Sequence, residues 1–192
     1  MSADSPFDSG SVANRLLDLA DMLDMPLTHL SLQKLLYFSH GRYLISNRSP
    51  LVKELFEAWQ YGPVLPSIYK ALKHTGRDYV KERIAIRDIS SGTRTVMPSI
   101  TSSDVDDVLM SILLTYGRKS PRFLVDLSHA IGAPWKITVD KSRTNGSLAL
   151  KISNQIIVEA FKYHKMSVTS SDRGDPDDCR YENEPVAGYR SS

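Results

Sequence analysis

The chain has 192 residues, of which 41% are hydrophobic and 24% are charged, and its formal net charge at pH 7 is +2. This length and apolar content support one globular domain, while so small a net charge does not indicate a dedicated nucleic-acid-binding protein. The one cysteine, Cys179, excludes an intramolecular disulfide and a thiolate metal cluster within a single chain.

The start of the chain and its hydropathy indicate where the protein works. The first ten residues contain two aspartates and no basic residue, so they lack the basic start and the apolar run of a signal peptide. No stretch approaches the roughly 18 apolar residues of a membrane span. We therefore expect a cytoplasmic protein with no membrane partner.

Two helices are predicted in the first quarter of the chain. Apolar residues recur every three or four positions over 11–25, which predicts a helix that Pro26 ends. The second predicted helix spans residues 29–47, with Thr28 as its N-cap. Gly41 lies inside this helix, where glycine costs about 0.5–1 kcal/mol relative to alanine, so we expect another element to pack closely there.

The next part of the chain mixes helix and strand signals. Residues 50–62 are mixed and rich in aromatics, and a Gly-Pro turn at 62–63 follows them. Pro66 then suits the first turn of a short helix that reaches about residue 74. Between residues 79 and 100, β-branched residues on either side of a Ser-Ser-Gly-Thr turn predict a small β-hairpin.

Helical signals return in the second half. Ser103 is the predicted N-cap of a helix over 104–116, and a Ser-Pro pair opens a shorter helix over 120–130. A Gly-Ala-Pro break followed by a polar loop is expected over 132–146, and a last helix over 153–164.

These elements predict a mainly α fold. We expect a flexible N-terminus (1–10), a single helical domain with a small β-hairpin insertion (11–166), and a disordered polar tail (167–192). Residues 168–192 carry six acidic residues and three arginines, a formal charge of −3, which leaves +5 on the rest of the chain. Such a tail is either an inert extension or the place where a cellular protease starts degradation.

Catalytic and metal-binding patterns are absent from the sequence. The five histidines show no helical pair with an interposed glutamate, as a zinc-peptidase site needs, so no metal site is predicted. There is no Gly-x-Ser-x-Gly elbow and no phosphate-binding glycine loop, so we predict no catalytic residue and no cofactor. His129 is a candidate acid or base near neutral pH; alternatively, its ring bonds a backbone carbonyl and fixes the turn into Pro134 and Trp135.

Two surfaces have more than one interpretation. Trp59 lies beside the Gly-Pro turn and is expected to pack in the core, while the role of Tyr61 stays open because tyrosine also serves binding surfaces. Basic residues also cluster in this part of the sequence: Arg42, Arg48, Lys53, Lys70, Lys73 and Arg77. They form either a solvated face or a patch that binds an acidic partner or a nucleic acid.

A family resemblance rests on five segments of the sequence. They are LQKLLYF at 32–38, EAW at 57–59, YGPVLPSIY at 61–69, the histidine at position 129, and PW at 134–135. Together they resemble the Panacea domain of SocA-like antitoxins, which is also found in phage-associated proteins. The resemblance covers residues 14–164, although Ile131 and Gly132 stand where we would expect a glutamate soon after the histidine.

The resemblance implies an antitoxin whose partner is a cognate toxin protein. With it, we take two groups of residues as candidates. The partner-binding candidates are Tyr61, Gly62, Pro63, Val64, Tyr69, Arg42, Lys73 and His129. The structural motif residues are Gln33, Lys34, Tyr37, Trp59, Pro134 and Trp135.

Three functions are therefore considered. The first is an antitoxin that neutralises its toxin by direct contact. The second is a DNA-binding autoregulator of its own operon, which the +5 body and the basic cluster favour. The third is an enzyme that uses His129.

Overall fold

A computed structural model describes residues 6–87, 92–145 and 150–163, without the side chains of 87, 143–145 and 162–163. Within these residues the fold is seven α-helices and two small two-stranded antiparallel sheets, which confirms the mainly α class. The helices are Ser9–Met22 (α1), His29–Asn47 (α2), Pro66–Leu72 (α3), Ser103–Tyr116 (α4), Pro121–Ser128 (α5), Pro134–Asn145 (α6) and Asn154–Tyr163 (α7). The strands are Glu57–Trp59 (β1), Gly62–Val64 (β2), Ala85–Arg87 (β3) and Arg94–Val96 (β4).

Helix α2 is the centre of the fold. Fourteen of its 19 residues are buried, and it packs against α1, α4, α5, α7 and β2. A helix that is buried on every side is an internal helix rather than an amphipathic surface helix. At Gly41 a Cβ atom would lie 2.5 Å from Cε1 of Phe161. The glycine therefore lets α7 pack directly on the α2 backbone, as its position in the sequence predicted.

Helix α1 begins two residues earlier and ends three residues earlier than the sequence predicted. The Asp8 side chain accepts hydrogen bonds from the amides of Gly10 and Ser11, so it is the N-cap. At the other end Asp24 takes a left-handed backbone conformation (φ 51°), which ends the helix before Pro26 is reached. Phe7 precedes the cap, and its backbone is hydrogen-bonded to Leu51 and Lys53.

The predicted polar loop over 132–146 is wrong for most of its length, because α6 occupies Pro134–Asn145. Proline suits the first turn of a helix. Lys136 and Asp140, four residues apart, form an ion pair at 2.8 Å that stabilises the exposed side of α6. Only a narrow apolar side remains, with Val139 buried in the core. That stripe was too sparse to be recognised in the sequence.

The β-hairpin predicted between residues 79 and 100 is confirmed as β3 and β4. Ala85 pairs with Val96, and the amide group of the buried Asn14 on α1 fixes the base of the hairpin. Asn14 Nδ2 donates to the carbonyls of Ile84 (3.0 Å) and Met97 (2.8 Å), and its Oδ1 accepts from the Ile84 amide at 2.7 Å.

Two further expectations concern membrane-spanning helices and the C-terminal tail. No helix within the described residues is long and apolar enough to cross a membrane. The predicted tail, 167–192, lies outside the described residues.

Candidate functional site

The β1–β2 hairpin was not predicted as a hairpin, and it contains four of the eight partner-binding candidates, Tyr61, Gly62, Pro63 and Val64. Glu57 pairs with Val64 and Trp59 with Gly62. Gly62 has a φ of 89°, a conformation that favours glycine. A Cβ atom there would overlap Oγ of Ser128 and lie 3.1 Å from the Lys34 side chain. Gly62 is therefore the point at which the hairpin, α2 and α5 come into close contact.

Two consecutive polar side chains of α2 bind the backbone of β2 and the residue after it. Gln33 Oε1 accepts a hydrogen bond from the Leu65 amide at 2.9 Å, and its Nε2 donates to the Leu65 carbonyl at 3.2 Å. Lys34 Nζ donates to the Pro63 carbonyl at 2.9 Å. Buried backbone groups need such partners, so the Gln-Lys pair of the motif is what attaches this hairpin to the central helix.

Lys34 is unusual because it is a fully buried lysine without a carboxylate. Its side chain is 0% exposed, and it takes part in no ion pair within the described residues. Burial lowers its pKa well below the ordinary value, since the charged ammonium loses its hydration. Burial, followed by the charge of Lys34, also lowers the pKa of His29 and of His129 to about 4.

His29 and His129, the two histidines that are affected by the charge of Lys34, belong to a cluster of aromatic rings, and we call His29, Trp59, Tyr69, His129 and Trp135 the aromatic corner. The Trp59 and Tyr69 ring centroids are 4.7 Å apart, and those of His29 and Tyr69 are 5.3 Å apart. Trp135 Nε1 donates to the Trp59 carbonyl at 2.9 Å, and the Trp135 ring lies 3.9 Å from that of His129. Residues from five segments of the chain thus form one packed unit.

His129 is better placed for packing than for catalysis. It caps the C-terminal end of α5, and its ring rests on Trp135. Its Nε2 is buried and has no hydrogen-bond partner among the described residues, so this nitrogen does not make the bond to a backbone carbonyl that was expected of one of the two ring nitrogens. The neighbouring Ser128 Oγ donates to the Val125 carbonyl at 2.7 Å. With a pKa of about 4, the imidazole of His129 is neutral at neutral pH.

The structure brings some of the candidate residues together and separates others. Gly62, Pro63 and Val64 are buried, whereas Tyr61 at the hairpin turn is half-buried. Arg42 is exposed and lies nine residues beyond Gln33, which is about 13 Å along the helix axis.

Three other candidates, Lys73, Tyr37 and Pro134, lie in separate parts of the fold. Lys73 is exposed just beyond the end of α3. Tyr37 is buried among Phe56 and Phe161, and its hydroxyl has no partner among the described residues. Pro134 is buried at the first position of α6, directly before Trp135.

Two members of the site were missed in the sequence. His29 lies four residues before Gln33 on α2, with 3.4 Å between His29 Nε2 and Gln33 Nε2. That i, i+4 spacing on a predicted helix was the available signal. Glu57 accepts a hydrogen bond from Trp59 Nε1 at 2.9 Å, and the alternation of a strand could have indicated that they share a face. No three His, Cys, Asp or Glu side chains in the described segments could hold a metal ion.

Comparison with known proteins places this architecture in a family. The profile described as "Antitoxin SocA-like, Panacea domain" matches residues 32–136, a range that begins one residue before Gln33 and ends one residue after Trp135. The chain therefore belongs to the SocA-like antitoxin family with the Panacea domain.

One relative extends the match over most of the chain. The protein named "Antitoxin SocA" from Caulobacter vibrioides (strain NA1000 / CB15N) is 41% identical over 162 residues, which is 84% of this chain and 86% of that protein. No solved structure matches the chain significantly.

Proposed function

We propose that this chain is an antitoxin that neutralises a cognate toxin by direct protein–protein contact. The observation that carries the proposal is the 41% identity to Antitoxin SocA over 84% of the chain. This relative is matched along its own length as well, over 86% of it, so the two proteins are similar over most of their lengths rather than in one short motif.

The geometry of the corner supports binding rather than catalysis. Gln33 and Lys34 use their polar groups on the backbone of Pro63 and Leu65, and the histidine rings pack on aromatic neighbours. These contacts are the kind that hold a scaffold together. The side chains that contact the partner are then exposed ones that this scaffold holds in place, as in other protein-binding domains.

Co-expression with the product of the neighbouring reading frame tests the proposal. If that product is the toxin, it should arrest growth alone, and this chain should restore growth and co-purify with it. A specific complex should bury roughly 1,200–2,000 Å² in total, and co-elution on gel filtration would show that it is stable. A gene copy without its start codon, which makes the transcript but no protein, is the control.

Two results would count against direct neutralisation. If growth returns but the two proteins do not co-purify, the chain acts by another route, such as repression of the operon. If the control without a start codon also restores growth, the effect belongs to the transcript rather than to the protein.

Removal of the antitoxin is the step that would free the toxin, and we place the start of degradation in the polar residues after Lys165. Ending the chain after Lys165 should leave the melting temperature unchanged, because residues 168–192 show no apolar periodicity to bury. The cellular half-life should lengthen, as measured by immunoblot after translation is stopped.

A chain in which residues 166–192 are replaced by a Gly/Ser segment of equal length separates the effect of sequence from that of length. A fall of many degrees in the melting temperature of the shortened chain would show that the tail is structural. An unaltered half-life would leave the tail as an inert extension.

A further inference from the structure

Three permanent cations and one histidine are exposed within eight residues of the chain that begin directly after Tyr69 of the aromatic corner, and we call Lys70, Lys73, His74 and Arg77 the cationic ridge. Lys70 is on α3, Lys73 and His74 begin the 3₁₀ turn that continues it, and Arg77 follows two residues after that turn. Spacings of three and four residues place the first three on one helical face. All four side chains are exposed, and the sequence from 66 to 77 contains no acidic residue.

The ridge side chains lack acidic partners among the described residues, in contrast to Arg15 and Arg83. On α1, Arg15 pairs with Asp106 at 2.6 Å, and Arg83 reaches Asp18 at 2.7 Å. None of the four ridge side chains makes an ion pair with any described residue. No ion pair within the described residues therefore neutralises these charges, and the nearest acidic residue along the chain is the exposed Asp78, which follows Arg77.

Favourable interaction with the C-terminal end of α3 explains the positions of only some of the ridge cations. Cations in the last turn of a helix interact favourably with its C-terminal carbonyls, which applies to Lys70 and Lys73. Arg77 lies beyond Gly76, whose φ of 56° takes the chain out of the helix. Interaction with the helix end therefore does not explain the exposed charge of Arg77.

Aromatic side chains flank the ridge on both sides. Tyr69 is half-buried against Trp59, and Tyr79 is 54% exposed. The segment that carries Tyr79 is fixed to the scaffold, because the Val80 amide donates to the Leu27 carbonyl at 2.8 Å. Tyrosine and arginine are enriched among the residues that dominate binding energy, and a rigid support reduces the entropy lost on docking.

We propose that the cationic ridge is the surface on which this protein docks an acidic face of its toxin. This inference rests on the proposed antitoxin function and adds to it the position of the interface and the charge of the partner. The ridge offers three permanent positive charges and one histidine between two tyrosines, which matches a protein surface carrying several Asp or Glu side chains. Such complementarity steers association and fixes which face of the partner docks.

The size of the ridge favours a protein partner over a nucleic acid. The ridge has three permanent positive charges, fewer than the 6–10 phosphate contacts that make a strong DNA-binding surface.

A charge-matched pair of variants tests the inference. The ridge variant is Lys70→Gln, Lys73→Gln, Arg77→Gln; the control variant is Lys53→Gln, Lys119→Gln, Lys151→Gln, which removes three exposed lysines elsewhere. Each variant lowers the formal net charge by three, so a general charge effect acts on both. Affinity for the purified toxin from the neighbouring reading frame is measured by calorimetry, with growth rescue as a second readout.

We expect the ridge variant to bind the toxin at least tenfold more weakly and the control variant less than twofold more weakly, with both retaining the native melting temperature. The native affinity should also fall with added salt, and the ridge variant should show a smaller dependence on salt. Failure of the native chain to rescue growth would instead contradict the proposed function itself.

Three results would overturn the ridge proposal while leaving the antitoxin function intact. The first is equal toxin binding by both variants. The second is a lower melting temperature for the ridge variant alone that accounts for its weaker binding. The third is loss of binding to a 20-base-pair DNA duplex by the ridge variant with toxin binding unchanged, which would assign the ridge to nucleic acid.

Discussion

Replacing Trp59 by alanine is expected to lower the free energy of unfolding by about 3–5 kcal/mol. The side chain is only 8% exposed, its ring packs against that of Tyr69, and its Nε1 donates to Glu57. Truncation removes this apolar contact area and leaves a cavity under the hairpin, between β1 and α3. Urea unfolding followed by far-ultraviolet circular dichroism would measure the loss.

Two further variants identify the cause of the loss. Trp59→Phe retains much of the apolar volume but removes the hydrogen bond to Glu57, so it should lose less stability than the alanine variant. Trp135→Ala should also lose less stability than Trp59→Ala, because Trp135 is half-buried. This variant removes the hydrogen bond that Trp135 Nε1 donates to the Trp59 carbonyl. An unchanged unfolding midpoint for Trp59→Ala would show that this side chain is exposed in solution and would make it a partner-binding candidate.

Acidification from pH 7 to pH 5 is expected to destabilise the protein steeply. Burial is the first cause that lowers the pKa of His29, His40 and His129 to about 4, from an ordinary value of 6.5. These folded-state values are lower because the fold favours the neutral rings. Their contribution to stability is therefore complete above pH 6.5 and is lost as the pH falls from 6.5 towards 4.

The size of this effect follows from proton linkage. Between the two pKa values the unfolded chain binds more protons than the folded chain, so the free energy of unfolding rises with pH in this window. A shift of this size corresponds to at most about 3 kcal/mol for each histidine. Three such groups represent a large part of the usual 5–15 kcal/mol stability of a domain.

His40 offers the sharpest control for this pH dependence. Its Nε2 and Asn154 Oδ1 are 2.9 Å apart, so this nitrogen carries the proton, and its Nδ1 accepts from the Val52 amide at 3.5 Å. A second proton on Nδ1 would remove that acceptor. In urea titrations from pH 7.5 to 5.0, His40→Gln should show a shallower slope than the native chain. Equal slopes for the two proteins would contradict the buried-histidine explanation.

Periodicity and capping were sufficient to predict the elements whose sequence is locally consistent. For α2, the Thr28 N-cap and the apolar pattern agreed, and the structure has the predicted bounds. For α4 the predicted end at Tyr116 is also found. Local signals succeed here because the residues that form the cap and the buried face lie within the same stretch of chain.

The parts that could not be predicted depend on contacts between distant segments. Strands β1 and β2 have three residues each, too few for a clear alternation, and their position is fixed by Gln33 and Lys34, about 30 positions earlier. The aromatic corner likewise joins Trp59 to Trp135, 76 positions apart. The motif residues were evident in the sequence, but the fact that Lys34 binds a carbonyl rather than a carboxylate emerged only from the packing.

The clamp that Asn14 forms on the β3–β4 hairpin has a consequence for how a newly made chain acquires its structure. This amide bonds residues 70 and 83 positions further along, and the Gly41 contact on α2 is filled only by Phe161 of α7. Helices α1 and α2 therefore leave the ribosome long before their partners exist. Contacts of such high sequence separation slow folding and prolong the exposure of apolar surface. A chain that ends before residue 161 would lack the contact that fills the space above Gly41, so the stable fold requires synthesis through α7.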